Sequence, residues 1–161
     1  REQPMSNDPY TPPSAPVRDR DPEVPGSTWK AVTFGVLADI VGTFLAGIVL
    51  FAVLGSMLVS QGATPEELDR ALMQSDAYML LAGVTGLGFT VLGGYVAARV
   101  ANQREYYHAL LTGVVVLVFG ELMIGMSGEG YPLAYRIIGD MLAVPAALFG
   151  GHLRKTATLK G

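Results

Sequence analysis

Four long hydrophobic stretches follow one another along the chain, and few charged residues interrupt them. They cover about residues 31–60, 77–101, 106–126 and 133–153. An α-helix rises about 1.5 Å per residue, so about 20 residues cross the roughly 30 Å of hydrocarbon in a bilayer. Strands of a membrane barrel would be about 10 residues long and would alternate apolar with polar positions. The pattern therefore predicts an all-α integral membrane protein, with a bundle of four transmembrane helices over residues 30–155.

The chain before these stretches has a different character. Residues 1–29 carry repeated prolines among charged residues and no apolar run, which is not the pattern of a signal peptide. A segment of this composition buries too little apolar surface to offset the entropy lost on ordering. We expect a disordered or extended proline-rich cytoplasmic tail, with Met5 as the natural start, and a short cytoplasmic C-terminus over residues 156–161.

The positions of lysine and arginine predict the orientation of the bundle. Of the 11 basic residues, only Arg70 and Arg136 fall in or near the connections that follow the first and third helices. The others lie in the tail, near the connection between the second and third helices, or at the C-terminus. Because cytoplasmic segments carry the excess of lysine and arginine, both termini are expected in the cytoplasm, N-in and C-in.

The first outer loop carries a helix signal of its own. Thr64, Pro65 and Glu67 have the spacing of an N-cap, a first-turn proline and a capping-box glutamate. Leu68 and Leu72 then share one face, which predicts a short amphipathic helix lying on the outer membrane surface. The alternative is a solvated turn of helix.

Small residues recur at intervals of four in the second and fourth helices. In a bilayer the hydrophobic effect does not draw helices together, so they associate where small side chains let their backbones approach. Packing within one chain is favoured over dimerisation as the explanation, and Pro145 is expected to kink the fourth helix. The candidate packing residues are Gly86, Thr90, Gly94, Ala98, Gly139, Ala143, Ala147 and Gly151.

Five charged residues at membrane depth form a candidate intramembrane polar network. A charge at the bilayer centre costs at least about 2.5–3.5 kcal/mol on insertion scales, so each is expected to have a partner or a function. Asp39 in the first helix lies on the face expected to point into the bundle, and Arg99 in the second helix is its candidate partner. Nearer the outer side, Glu121 and Asp140 lie at similar depth, and Arg136 is spaced i,i+4 from Asp140.

Two interpretations of these charged residues are open. In the first, Arg136 neutralises a carboxylate, and the group fixes the register and orientation of the helices. In the second, Glu121 and Asp140 share one site and act as a proton or cation relay. The structural interpretation is favoured for these three residues, which lie near an interface that water reaches. For Asp39, which lies deeper, the two interpretations are balanced.

Composition and motifs argue against other kinds of chemistry. The chain has no cysteine, which excludes disulfides, thiolate catalysis and cysteine-based metal sites. The net charge of −3, without a basic block, does not suggest a nucleic-acid partner. His108 and His152 lack metal-ligand spacing, and neither a Gly-x-Ser-x-Gly elbow nor a phosphate-binding loop is present. No enzymatic activity, cofactor or metal is therefore expected.

One motif resembles a known group of proteins. The residues Gly93-Gly94-Tyr95-Val96-Ala97-Ala98-Arg99 end the second helix, and a His-Ala segment begins the third at His108. This arrangement resembles small uncharacterised four-helix bacterial inner-membrane proteins with a Gly-Gly-Tyr-x-Ala-Ala-Arg helix end. The resemblance covers about twenty residues and implies a multi-pass location in the bacterial cytoplasmic membrane. It implies no activity.

Two functions follow as hypotheses from the sequence. The first is a non-catalytic accessory or scaffold subunit of a larger membrane protein complex, which contacts other subunits through its helices and its proline-rich tail. The alternative is a small oligomeric transporter of ions, protons or a solute that uses intramembrane carboxylates. The lipid bilayer is a partner in both, and a homo-oligomer is compatible with both.

Overall fold

A computed structural model describes residues 26–127 and 132–159, with Asp69 described by its backbone alone. Its helices are α1 (Thr28–Ser60), α2 (Pro65–Met73), α3 (Asp76–Ala101), α4 (Glu105–Ser127) and α5 (Leu133–Leu159).

In the described residues, the prediction of an all-α protein with four helices suited to span a membrane is confirmed. Helices α1, α3, α4 and α5 are long and apolar enough to cross a membrane, and the described residues form no strand. Helix α5 continues through Pro145 and ends at Leu159, so it extends beyond the predicted end of the fourth span. Most of the predicted N-terminal tail lies outside the described residues.

A tight connection joins α3 to α4 and sets one end of the bundle. Asn102 ends α3 in the left-handed conformation, with φ of 53°, and its N–H donates to the carbonyl oxygen of Ala98 at 3.2 Å. Asparagine adopts this conformation more readily than most residues because its side chain is short and polar. We call this end of the bundle the hairpin end and the opposite end, which carries α2, the α2 end.

The four long helices form an incomplete ring. Helix α1 packs on α3, α3 on α5, α5 on α4, and α4 on α1, while α3 and α4 also meet across the ring. The contact between α1 and α4 is the smallest of these, and α1 and α5 do not meet. The ring is therefore weakest between α1 and α4.

Glycines allow close helix contact at the hairpin end. A Cβ atom at Gly35 would lie 2.7 Å from the carbonyl oxygen of Gly93, so α1 and α3 cross there backbone to backbone. In the same way, Gly94 faces the Ala147 carbonyl, and Gly150 faces the Val91 carbonyl, where α3 and α5 meet. Small residues let helices approach closely in this way. The resulting packing contacts stabilise the association, since no hydrophobic effect drives helices together in lipid.

Several glycines nearer the α2 end are open instead. A Cβ atom added at any of them would meet no other part of the described chain within 4 Å. The candidate packing residues therefore divide: Gly94, Ala98, Ala147 and Gly151 are buried between helices, whereas Gly86 and Gly139 border open space. The open glycines of the long helices are Gly47, Gly86, Gly88, Gly120, Gly125 and Gly139.

Helix α2 covers part of the α2 end. The backbone N–H of Thr64 donates to the Glu67 carboxylate at 3.2 Å, and the Thr64 hydroxyl donates to the same carboxylate at 2.9 Å. On its apolar face, Leu72 is 1% exposed, and Leu68 lies 3.3 Å from the Cβ position of Gly55 in α1. Helix α2 thus packs its apolar side against the bundle. Its position on the outer membrane surface stays a prediction.

We expect the start of α2 to weaken at acidic pH. The backbone N–H and then the hydroxyl of Thr64, with a smaller contribution from Arg70, hold the pKa of Glu67 below its usual value of 4.5. A carboxyl whose pKa is lower in the folded state stabilises the fold fully above the usual value, and this contribution is lost as the pH falls through the lowered pKa. NMR titration of the Thr64 amide should report this loss, and Glu67→Gln should abolish it. Glu66→Gln is the matched control, because it leaves both hydrogen bonds in place.

Candidate functional site

Helices α1 and α4 meet at the hairpin end. There, Nε2 of His108 lies 3.2 Å from the Thr28 hydroxyl, and the Thr112 methyl lies 3.0 Å from the Cβ position of Gly35. Beyond these contacts, towards the α2 end, the two helices border a cavity of about 500 Å³ with α3 as its floor. We call this cavity the α1–α4 cleft. Its lining residues are Asp39, Ile40, Thr43, Phe44, Gly86, Thr90, Val116, Phe119, Gly120 and Met123.

Among the described residues, Asp39 is the only charged one that lines the cleft. It lies about 16 Å along α1 from the first residue of the helix, at about 1.5 Å per residue. Its side chain is 5% exposed, and Oδ1 is buried without a hydrogen-bond partner among the described residues. The Thr90 hydroxyl lies beside the carboxyl group, but it also donates to the Gly86 carbonyl oxygen at 3.1 Å. Asp39 therefore keeps unused hydrogen-bonding and pairing capacity inside the bundle.

The expected pairing of Arg99 with Asp39 is not formed within the described part of the chain. Asp39 packs at the level of Gly93, with 3.1 Å between its Cβ and the Cβ position of that glycine. Arg99 lies about 9 Å further along α3 towards the hairpin end, and it is exposed there. The crossing of α1 and α3 at Gly35 and Gly93 fixes these levels, and it separates the two charges along the bundle axis.

The open side of the cleft is apolar and aromatic. Phe44 is 68% exposed and Phe119 is 38% exposed, and both line the cavity. Gly86 and Gly120 also line it, and no described atom lies within 4 Å of the Cβ position of either. The cleft therefore offers a carboxyl group at one place and hydrophobic surface around it, which is the usual make-up of a small-molecule site.

The charged residues nearer the α2 end form a separate structure. Nε of Arg136 donates to Oε1 of Glu121 at 2.9 Å, and Nη2 of the same arginine bonds the second carboxylate oxygen. This two-point pair joins α5 to α4. Hydrogen bonds between charged groups are roughly twice as strong as those between neutral groups. Asp140 is close enough to interact electrostatically with both partners, but it forms no ion pair with Arg136.

This geometry favours the structural interpretation for Glu121 and Arg136. The arginine bonds the carboxylate on the neighbouring helix and not the one spaced i,i+4 on its own helix. Asp140 lies beside a smaller cavity of about 200 Å³, which Arg136 and Tyr135 also line. The carboxyl groups of Glu121 and Asp140, which were expected to share one site, lie within hydrogen-bonding reach of each other, while Arg136 pairs with Glu121.

A polar cluster at the hairpin end was not found by sequence reasoning. His108 is 1% exposed, and its Nδ1 donates to the Arg104 carbonyl at 3.2 Å if Nε2 accepts from Thr28. The Tyr106 hydroxyl lies 2.8 Å from Nδ1 of His152, which joins α4 to α5. Thr28 and His108 are far apart in the chain, so no local spacing signals their contact. In the described ranges, no group of three acidic, histidine or cysteine side chains is placed to hold a metal ion.

Comparisons with protein-family models, with curated proteins and with solved structures find no match to this chain.

Proposed function

We propose that the protein is a small membrane transporter that binds a cationic solute at Asp39 and works as an oligomer. One observation carries this proposal: within the described part of the chain, a buried carboxyl group with an unpartnered oxygen lines a cavity between helices that are long and apolar enough to span a membrane. Ionisable residues at such positions are rare, and they commonly mark substrate or ion pathways.

The shape of the cleft supports the oligomer. Phe44 and Phe119 leave its side open at the surface of the bundle, so one copy does not enclose a solute. A second copy placed against the gap between α1 and α4 would close it, because that is the side on which the ring of helices is incomplete.

Flux through proteoliposomes tests the transport proposal. Uptake of a lipophilic cation driven by a membrane potential should exceed that of empty liposomes, and Asp39→Asn should reduce the excess by about tenfold or more, since an intramembrane counter-charge is removed. Asp140→Asn is the matched control, because it removes a carboxylate of α5 that does not line the cleft, and its uptake should equal that of the unmodified protein. Equal uptake by the Asp39 variant would contradict the proposal.

An accessory or scaffold subunit is the second candidate function. Gly88, Gly125 and Gly139 favour it, because they lie outside the cleft lining and leave open places where another transmembrane helix can approach. Purification in a mild detergent distinguishes the candidates: a stoichiometric partner protein favours the subunit, and a homo-oligomer of this chain alone favours the transporter.

We also propose that both termini face the cytoplasm of a bacterial inner membrane. The distribution of lysine and arginine supports this orientation. Trp29, Tyr106 and Tyr107 are exposed at the hairpin end, where Lys155 lies 5.1 Å from the centre of the Tyr106 ring. Aromatic and basic side chains of this kind are typical of a membrane interface.

A further inference from the structure

We infer that the α1–α4 cleft binds a hydrophobic organic cation, which enters from the lipid and pairs with the Asp39 carboxylate. This inference names the substrate class of the proposed transporter and rests on it for the site's purpose, but binding does not itself require transport.

The charge of the ligand follows from the surroundings of Asp39. Its Oδ1 is buried and without a hydrogen-bond partner in the part of the chain that the structure describes, and Arg99 is too far along α3 to neutralise it. None of the described residues that line the cleft is basic. A charge in a low-dielectric site is stabilised most by an opposite charge nearby, so a monovalent cation is the complementary ligand.

The hydrophobic character of the ligand follows from the side chains that line the cleft. A hydrated inorganic cation is held by several oxygen atoms, with at least six for calcium or magnesium. Besides Asp39, the cleft offers only the side-chain hydroxyls of Thr43 and Thr90 as oxygen ligands, which is too few for such an ion. The remaining lining side chains are apolar, and Phe44 and Phe119 have aromatic faces, which attract organic cations.

The size and access of the cleft fit a small molecule. Its volume of about 500 Å³ lies within the range of small-molecule sites, which is about 300–1,000 Å³. The absence of side chains at Gly86 and Gly120 keeps the space beside Asp39 open. Because the exposed side of the cleft faces the lipid-contacting surface of the bundle, a membrane-soluble ligand reaches it without crossing water.

Tetraphenylphosphonium and tetraphenylborate test the inference, because they have nearly the same shape and opposite charge. Binding to the purified full chain in nanodiscs, in excess of that to protein-free nanodiscs, should be saturable for the phosphonium and absent for the borate. Asp39→Asn should weaken phosphonium binding by about tenfold or more, as expected when one partner of a buried charge pair is removed. Asp140→Asn should bind as the unmodified protein does.

A second variant pair keeps the carboxyl group and changes the space. Gly120→Leu places a side chain in the cleft and should abolish phosphonium binding, whereas Gly125→Leu places the same side chain on α4 outside the cleft lining and should leave it unchanged. Equal binding of both tetraphenyl ions would indicate a hydrophobic groove that does not select for charge, such as one filled by lipid chains. That result would overturn the inference. Unchanged binding in either Asp39→Asn or Gly120→Leu would also overturn it. Binding without flux would instead retain the site and reject the transport proposal.

Discussion

Gly94→Ala is expected to lower the free energy of unfolding by about 1–3 kcal/mol, which is the usual cost of overpacking a close contact. A Cβ atom at Gly94 would overlap the Ala147 carbonyl oxygen and lie 2.8 Å from the Ala147 Cα atom. These are backbone atoms of α5, so the two helices must move apart. Gly150 faces α3 in the same way, and a shift at one glycine therefore disturbs the contact at the other.

Gly88→Ala is the matched control on the same helix. No described atom lies within 4 Å of the new methyl group, so the substitution should be neutral or stabilising by up to about 1 kcal/mol, because alanine favours helix more than glycine does. Unfolding by denaturing detergent in mixed micelles measures both variants. Similar losses for Gly94→Ala and Gly88→Ala would contradict the close contact between α3 and α5.

Arg136→Gln is expected to destabilise the protein more than Glu121→Gln does, and Asp140→Asn should have the smallest effect of the three. Removal of Arg136 leaves the carboxylates of Glu121 and Asp140 near each other without a cation. Removal of the Glu121 charge leaves Arg136 with Asp140 as a nearby counter-charge. Removal of the Asp140 charge leaves the two-point pair intact. An unpaired charge in the bilayer is costly, so the order follows from which charges remain unpaired.

The same unfolding assay measures this series, with the double variant Glu121→Gln/Arg136→Gln as its internal check. Because the double variant leaves neither partner charged, it should be more stable than Arg136→Gln alone. A double variant that lost as much as the sum of the single variants would show that the two residues do not act as a pair.

The four spans were predictable because each depends on hydrophobicity within one segment. A run of apolar residues long enough to cross a bilayer predicts a transmembrane helix whatever segments surround it. The cap of α2 was equally local, since Thr64 and Glu67 lie three residues apart. These features need no knowledge of how the helices meet.

The site depended on how the helices cross, which the sequence pattern does not specify. Small residues at Gly86 and Gly94 look alike in the sequence, but only Gly94 lies where α3 approaches α5. Asp39 was singled out by the sequence and is buried in the bundle, while its proposed partner Arg99 lies at another level along the axis. Arg136 had two candidate carboxylates, and the choice of Glu121 depends on the spacing between α4 and α5. Such contacts are tertiary, so no local spacing predicts them.

A distance between Asp39 and a bound cation tests the central claim most directly. Solid-state NMR of the chain with ¹³C-labelled aspartate carboxyl groups, bound to tetraphenylphosphonium in lipid, measures dipolar coupling between those carbons and the phosphorus atom. We predict coupling to one aspartate carboxyl, which disappears in Asp39→Asn and persists in Asp140→Asn. Coupling that persists in Asp39→Asn, or that is absent from the unmodified protein at saturating phosphonium, would contradict the assignment of the α1–α4 cleft as a cation site.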